Sequence, residues 1–204
     1  MELRSTRRIV TGHDAQGKAV VLFDGAQQAE QRGQNGITML WVTTDFPVDV
    51  AISHDRAQTK VGVPPPANGS IFRIVDFAPA SPHAPPVDHR QILLAMGIDP
   101  ATQGYARHAN THRTRTIDYA VVLDGEIDML LDDTELHLKA GDILVQQGTN
   151  HAWVNNSKEN CRIAFVLIGA HEPAVLKKTA SKAAGKKKPA KKAAAKKKAL
   201  GKRR

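Results

Sequence analysis

The stretch HRTRTIDYAVVLDG, residues 112–125, carries the strongest fold signal in this chain. A histidine and an aspartate lie at the start of a run of β-branched, aromatic and aliphatic residues, which favour strands. The run ends at Asp124-Gly125, a dipeptide typical of hairpin turns. The stretch is therefore either half of a metal site or only the approach to a core strand.

Further short runs of the same kind continue to residue 170. They read EIDMLLDD (126–133), TELHLKAGDILVQQ (134–147), HAWVNN (151–156) and CRIAFVLIGA (161–170). Turn signals rich in Gly, Asn and Asp separate them, and no helical period competes. Strands at intervals of about 8–12 residues indicate an antiparallel sandwich or barrel, so the sequence predicts an all-β fold.

The first 110 residues have a looser pattern. Strand candidates lie at 7–12, 18–25, 37–45 and 70–80, proline-rich loops at 62–69 and 78–89, and one short helix at 90–98. Gly97 is expected near the C-terminal end of that helix.

Composition limits the class of protein. The 204 residues suit one domain with appendages, and 41% of them are hydrophobic. The single cysteine, Cys161, excludes an internal disulfide framework and fits a small sheet residue better than a nucleophile. No run of about 18 apolar residues indicates a membrane span. The start has no apolar segment typical of a secretory signal, so we expect a cytoplasmic protein.

Charge divides the chain into two parts. Residues 177–204 hold fourteen of the 29 Lys and Arg residues and no acid, which leaves 15 basic against 20 acidic residues elsewhere. This Lys- and Ala-rich composition predicts a disordered tail, similar to those of linker histones. Such a tail would bind nucleic acid without sequence preference, through Lys186, Lys187, Lys188, Lys191, Lys192, Lys196, Lys197 and Lys198. The alternative is a solvated extension without a dedicated partner.

The 112–155 region resembles the cupin superfamily, which is defined by two short motifs. The matching residues are His112, Asp118 and Gly125 in the first motif and Gly141, Gly148, His151 and Asn155 in the second. The chain departs from the pattern at four positions. Thr114 replaces the second histidine, Asp118 replaces a glutamate, Ala106 replaces the opening glycine, and Gln146 stands near a motif proline.

This resemblance implies a single cupin barrel, a jelly roll or double-stranded β-helix. Residues 1–110 would supply N-terminal strands and loops that complete the barrel, 111–172 the motif-bearing core, and 173–204 the basic tail. Extensions of this kind in cupins pair with a second subunit, and exposed strand edges at 7–21 would need cover, so we expect a homodimer.

The resemblance also implies a metal site of His112, Asp118 and His151. Two histidines and a carboxylate suit Fe²⁺, Mn²⁺, Ni²⁺ or Zn²⁺. In one straight strand, residues 112 and 118 would lie about 20 Å apart, so a shared ion requires a bend at 113–115. Thr114 and Trp153 are expected to line the pocket.

Each ligand also has a structural interpretation. His112 would be a loop histidine bonded to a carbonyl, and His151 a turn histidine stacked on Trp153. Asp118 would be an acid satisfied by Arg113, Arg115 or the Thr116 hydroxyl.

Three functions follow from these alternatives. The chain is a metal-dependent enzyme acting on a small organic substrate, a metal-free barrel that binds or senses a small molecule, or a nucleic-acid-associated protein acting through its tail. Fold alone does not choose among them.

Overall fold

A computed structural model describes residues 3–51, 54–81, 83 and 87–176. The chain divides into two compact units, Met1–His171 and Glu172–Arg204. The first unit contains the strands named below, and the second is described only over residues 172–176. The lysine-rich tail therefore lies outside the described residues, and both its predicted disorder and its nucleic-acid binding stay predictions.

Strands dominate the first unit, as the sequence predicts. They are β1 (Thr6–His13), β2 (Ala19–Gln27), β3 (Glu30–Arg32), β4 (Asn35–Thr43), β5 (Ser70–Phe77), β6 (Thr116–Asp124), β7 (Glu126–Leu130), β8 (Glu135–Lys139), β9 (Ile143–Gln147), β10 (Ala152–Val154) and β11 (Cys161–Gly169). The predicted helix is α1 (His89–Ala95), and short 3₁₀ turns span Arg56–Gln58 and Pro100–Thr102. Strand β3 is the element that the sequence pattern misses, because it has three polar residues and no apolar alternation.

The strands form two facing sheets and a separate hairpin. One sheet has six strands in the order β3-β4-β5-β11-β6-β9, and the other has three in the order β10-β7-β8. β1 and β2 pair only with each other among the described strands. Neighbouring strands are antiparallel throughout this part of the chain. This is the all-β, double-sheet barrel that the sequence predicts.

The hydrophobic core lies between the two sheets. Ile127 and Met129 from β7 and Trp153 from β10 belong to the same buried cluster as Ile163 and Phe165 from β11. The ring centroids of Trp153 and Phe165 lie 5.6 Å apart in an edge-to-face arrangement. Burial of this apolar surface is the main force that holds the sheets together.

A tight turn carries the chain from β6 in one sheet to β7 in the other. Gly125 occupies it with φ of 75°, in the left-handed region that favours glycine. A Cβ atom there would lie 2.6 Å from the carbonyl oxygen of Asn160. The predicted Asp124-Gly125 turn is thus confirmed, and the backbone geometry requires the glycine.

The N-terminal hairpin is fixed to β4 through one buried arginine. Arg8 forms two 2.6 Å bonds to the carboxylate of Asp55 and donates to the Leu40 carbonyl oxygen at 3.0 Å. Its guanidinium also lies 5.9 Å from the Trp41 ring centroid. The predicted N-terminal extension is therefore a packed element of the first unit.

Across the described ranges, no helix is long and apolar enough to cross a membrane.

Candidate functional site

His112 and His151 form an isolated antiparallel bridge beside β10. Each backbone N–H donates to the carbonyl oxygen of the other residue, at 2.9 and 3.0 Å. Side chains of such a directly opposed pair lie on the same face. Their ring centroids are accordingly 4.5 Å apart, and the two side chains are 8% and 4% exposed.

The chain bends sharply between His112 and Asp118. His112 pairs with His151, whereas Asp118 lies in β6 of the six-stranded sheet, and residues 113–115 connect them without strand structure. Gly148 packs against this bend and has a φ of 58°, in the left-handed region. A Cβ atom added at this position would lie only 3.1 Å from the Thr114 carbonyl oxygen, so a glycine leaves space for the bend. The bend that a shared ion would require at 113–115 is therefore present, although the stretch itself contains no Gly or Pro.

Backbone carbonyl groups hold both imidazole rings. Nδ1 of His112 lies 2.8 Å from the carbonyl oxygen of Asn110, and Nδ1 of His151 lies 3.0 Å from that of Thr149. A carbonyl oxygen can only accept, so each Nδ1 carries the proton. Each Nε2 then carries a lone pair and no proton, which is the tautomer that binds a metal ion.

Burial also keeps these two rings neutral. Desolvation lowers the pKa of His151 to about 3, with further lowering by His112 and Arg73. Desolvation likewise lowers the pKa of His112, while its bond to Asn110 acts in the opposite direction. Both imidazoles are therefore uncharged bases near neutral pH.

Asp118 projects from β6 opposite Gln146 of β9. The Gln146 amide nitrogen donates to Oδ2 of Asp118 at 3.0 Å and lies 3.4 Å from Nε2 of His151. Oδ1 of Asp118 is buried without a hydrogen-bond partner among the described residues. Desolvation raises the pKa of this carboxyl group, against opposing effects of the Thr116 hydroxyl and Arg73.

The expected partners of Asp118 are thus only partly those found. Thr116 contributes as the sequence suggests, but the principal bond comes from Gln146. The pairing of β6 with β9 creates this contact between residues 28 positions apart. Nothing in the local sequence around Asp118 indicates it.

The structure brings two of the three predicted ligands into direct contact. Within the described ranges, no three His, Cys, Asp or Glu side chains lie close enough to hold a metal ion together. The chemistry of the three residues fits a divalent ion, because the two Nε2 atoms and the unpartnered Oδ1 of Asp118 can each supply a lone pair. The amide group of Gln146 lies between Asp118 and His151 and keeps the carboxylate away from the imidazole pair.

The two predicted pocket residues lie close to these ligands. Thr114 is 6% exposed, and its hydroxyl lies 2.6 Å from that of Thr116. The Trp153 ring meets that of His151 edge-on at 6.2 Å and also packs in the hydrophobic core. The contact of His151 with Trp153 is therefore present, but as an edge-on and not a stacked arrangement. A metal ligand and a structural histidine could both make this contact.

Two further side chains lie outside this group, and Cys161 is the small sheet residue that the sequence predicts. His137 is 58% exposed and faces solvent, where it bonds Asp128. Cys161 is fully buried, and burial raises the pKa of its thiol to about 12. A protonated, inaccessible thiol is a small core residue and not a nucleophile.

Arg73 is the interior residue that sequence reasoning misses. Ile71, Arg73 and Val75 lie at every second position of β5, so their side chains share one face of the strand. Because Ile71 and Val75 belong to the core cluster, the Arg73 side chain also enters the barrel. Its effect on the pKa values of His112, His151 and Asp118 places it within electrostatic range of all three. A charged residue at an inward position of a strand is the signal that could have revealed it.

A groove of about 500 Å³ lies away from this site. Its walls include Phe46, Val166 and Ile168. Val166 and Ile168 alternate along β11 with the core residues Phe165 and Leu167. The groove therefore opens on the opposite face of the sheet from the histidines.

Comparisons with known proteins agree with this architecture. The model of the Cupin domain family matches residues 96–168. The chain is 35% identical over 180 residues to phomopsin biosynthesis cluster protein C' of Diaporthe leptostromiformis, covering 83% of this chain and 81% of that protein. It is 30% identical over 179 residues to the cupin-domain-containing oxidoreductase srdD of Neurospora crassa, covering 83% and 78%. This chain is a cupin. In this cupin the bridge joins His112 to His151, and Thr114 lies in the bend between His112 and Asp118.

Proposed function

We propose that this cupin is an enzyme that acts on a small organic molecule inside the barrel. In this proposal His112 and His151, with Asp118 as third ligand, bind a divalent transition metal: Fe²⁺, Mn²⁺, Ni²⁺ or Zn²⁺. The observation that carries it is the pair of buried, neutral imidazoles with both Nε2 lone pairs free of protons. The oxidoreductase name of the relative srdD gives independent support.

The protein's own residues would perform several tasks in such an enzyme. The carbonyl groups of Asn110 and Thr149 fix the orientation of the rings. Asp118 would offer its unpartnered Oδ1 to the ion, while its Oδ2 stays bonded to the Gln146 amide. A bound metal would supply Lewis acidity or, for iron, one-electron chemistry.

A metal-free barrel that binds or senses a small molecule is the second candidate. It is favoured by the contact of the Gln146 amide with Asp118 and His151, because these groups then satisfy one another without an ion. The same residues would serve as hydrogen-bonding groups for a ligand.

Metal content separates the two candidates. Protein made without a metal-affinity tag is incubated with each of the four ions, dialysed and measured by mass spectrometry. We expect about one ion per chain for the preferred metal, and roughly a 10-fold or greater loss of affinity in His112→Ala and His151→Ala.

The control variant is His137→Ala, which removes an exposed imidazole outside the barrel. It should bind metal like the wild type. Less than about a tenth of an equivalent in the wild type, with no uptake from any of the four ions, would reject the metal and leave the ligand-binding candidate.

A further inference from the structure

Arg73 is a buried cation that forms no hydrogen bond or ion pair with another residue in the described part of the chain. Its side chain is 8% exposed. Within the described part of the chain it takes part in no hydrogen bond or ion pair, and its Nε is a buried donor left unsatisfied. A buried charge without a bonded partner destabilises the folded state, so the protein retains this guanidinium at an energetic disadvantage.

The charges around Arg73 do not neutralise it. Burial lowers its pKa to about 10, which still leaves the group charged at neutral pH. Asp118 attracts it through space, whereas Arg32 repels it. Asp118 is bonded to Gln146 and not to Arg73, and the two nearby histidines are neutral. The interior therefore holds a guanidinium that Asp118 stabilises only through space and that no described acceptor bonds directly.

The chemistry of the guanidinium selects among ligands. Its planar set of N–H donors matches the two oxygens of a carboxylate, and such charge-assisted bonds are about twice as strong as neutral ones. A carboxylate would also supply a directly bonded counter-charge and the acceptor that Nε lacks. A neutral molecule would leave Arg73 with only the through-space attraction of Asp118.

We propose that the barrel interior takes a small organic carboxylate, whose carboxylate group binds Arg73. This deepens the proposed function and rests on it, since the same interior site would hold the rest of the molecule near His112 and His151. Asp118 would disfavour the ligand by charge repulsion, so the balance between Arg73 and Asp118 sets the affinity.

The test uses matched pairs of acids and amides. Full-length protein is titrated with formate, acetate and benzoate, and with formamide, acetamide and benzamide, while ligand-observed saturation-transfer NMR reports binding. We expect at least one carboxylate to bind and its amide to bind roughly 10-fold or more weakly. Failure of every carboxylate to bind, or equal binding by acid and amide, would overturn the proposal.

Variants localise the effect. Arg73→Met should weaken carboxylate binding about 10-fold or more, whereas Arg90→Met, which removes an exposed charge on α1, should leave it unchanged. Asp118→Asn removes the competing negative charge and should tighten binding, which keeps the proposal testable if Arg73→Met does not fold. Unchanged affinity in both Arg73→Met and Asp118→Asn would contradict it.

Metal content measured on the same samples keeps the two proposals distinguishable. Carboxylate binding by a protein that takes up no metal would reject the metal site alone. Metal uptake without carboxylate binding would reject the role of Arg73 alone.

Discussion

His112 and His151 exchange two backbone hydrogen bonds, of 2.9 and 3.0 Å, and the same pairing holds their rings 4.5 Å apart. The spacing of the two imidazoles is therefore set by main-chain geometry, which is far stiffer than side-chain packing. Their orientation is set separately, by the carbonyl groups of Asn110 and Thr149. A site built in this way is preorganised before any ligand arrives.

Acid should destabilise the protein through His151. Its ordinary pKa is 6.5, and burial lowers the folded-state value to about 3. Between these values the unfolded chain binds the proton and the folded chain does not, so stability falls as pH falls, by about 1.4 kcal/mol per pH unit for one proton. Asp118, with its raised pKa, opposes part of this loss above pH 3.8.

Urea unfolding across this pH window checks the sign. His151→Asn should show a shallower decline than the wild type. His137→Asn is the matched control: Asp128 raises the pKa of His137, so the contribution of His137 to stability varies only above pH 6.5 and its removal should not make the decline in this window shallower. Equal slopes for the wild type and His151→Asn would contradict this account.

Gln146 should stabilise the fold through Asp118. Gln146→Leu removes the donor to Oδ2 and leaves the buried carboxyl group without its principal bond, at a cost of about 1–3 kcal/mol. Gln147→Leu, at the adjacent exposed position on β9, is the matched control and should change the free energy of unfolding by less than about 0.5 kcal/mol. Equal effects of the two substitutions would show that the bond contributes nothing.

These side chains also show where sequence reasoning succeeds and where it stops. The strand pattern and the Asp124-Gly125 turn follow from local alternation and turn chemistry, and both are confirmed. The meeting of His112 with His151 follows from the family resemblance. The contact of Gln146 with Asp118 depends on the register of β9 against β6, which no short stretch encodes. The inward position of Arg73 could have been predicted, because it lies between Ile71 and Val75 at every second residue of β5.

The lysine-rich tail gives a separate prediction about nucleic acid. Full-length protein should retard DNA in a gel, and its affinity should fall by about 10³-fold or more between 50 and 200 mM salt if it neutralises six to ten phosphates. A truncation to residues 1–176 should lose this binding, because the remaining chain has 15 basic against 20 acidic residues. Equal retardation by both proteins would exclude the tail.

The homodimer also stays a prediction. The β1–β2 hairpin leaves Ile9 and Val21 exposed at 51% and 58%, which suits contact with a second copy. Light scattering should give the mass of two chains, and Ile9→Lys with Val21→Lys should shift it toward one. A single-chain mass at every concentration reached would contradict the dimer.

X-ray absorption at the metal edge identifies the ligands of the proposed metal site. For protein loaded with the metal that binds best, we predict two imidazole nitrogen ligands at about 2.0–2.1 Å for zinc, from His112 and His151. His112→Ala should leave one imidazole, and His137→Ala should leave both. A spectrum without imidazole ligands, or one unchanged in His112→Ala, would contradict the proposed site.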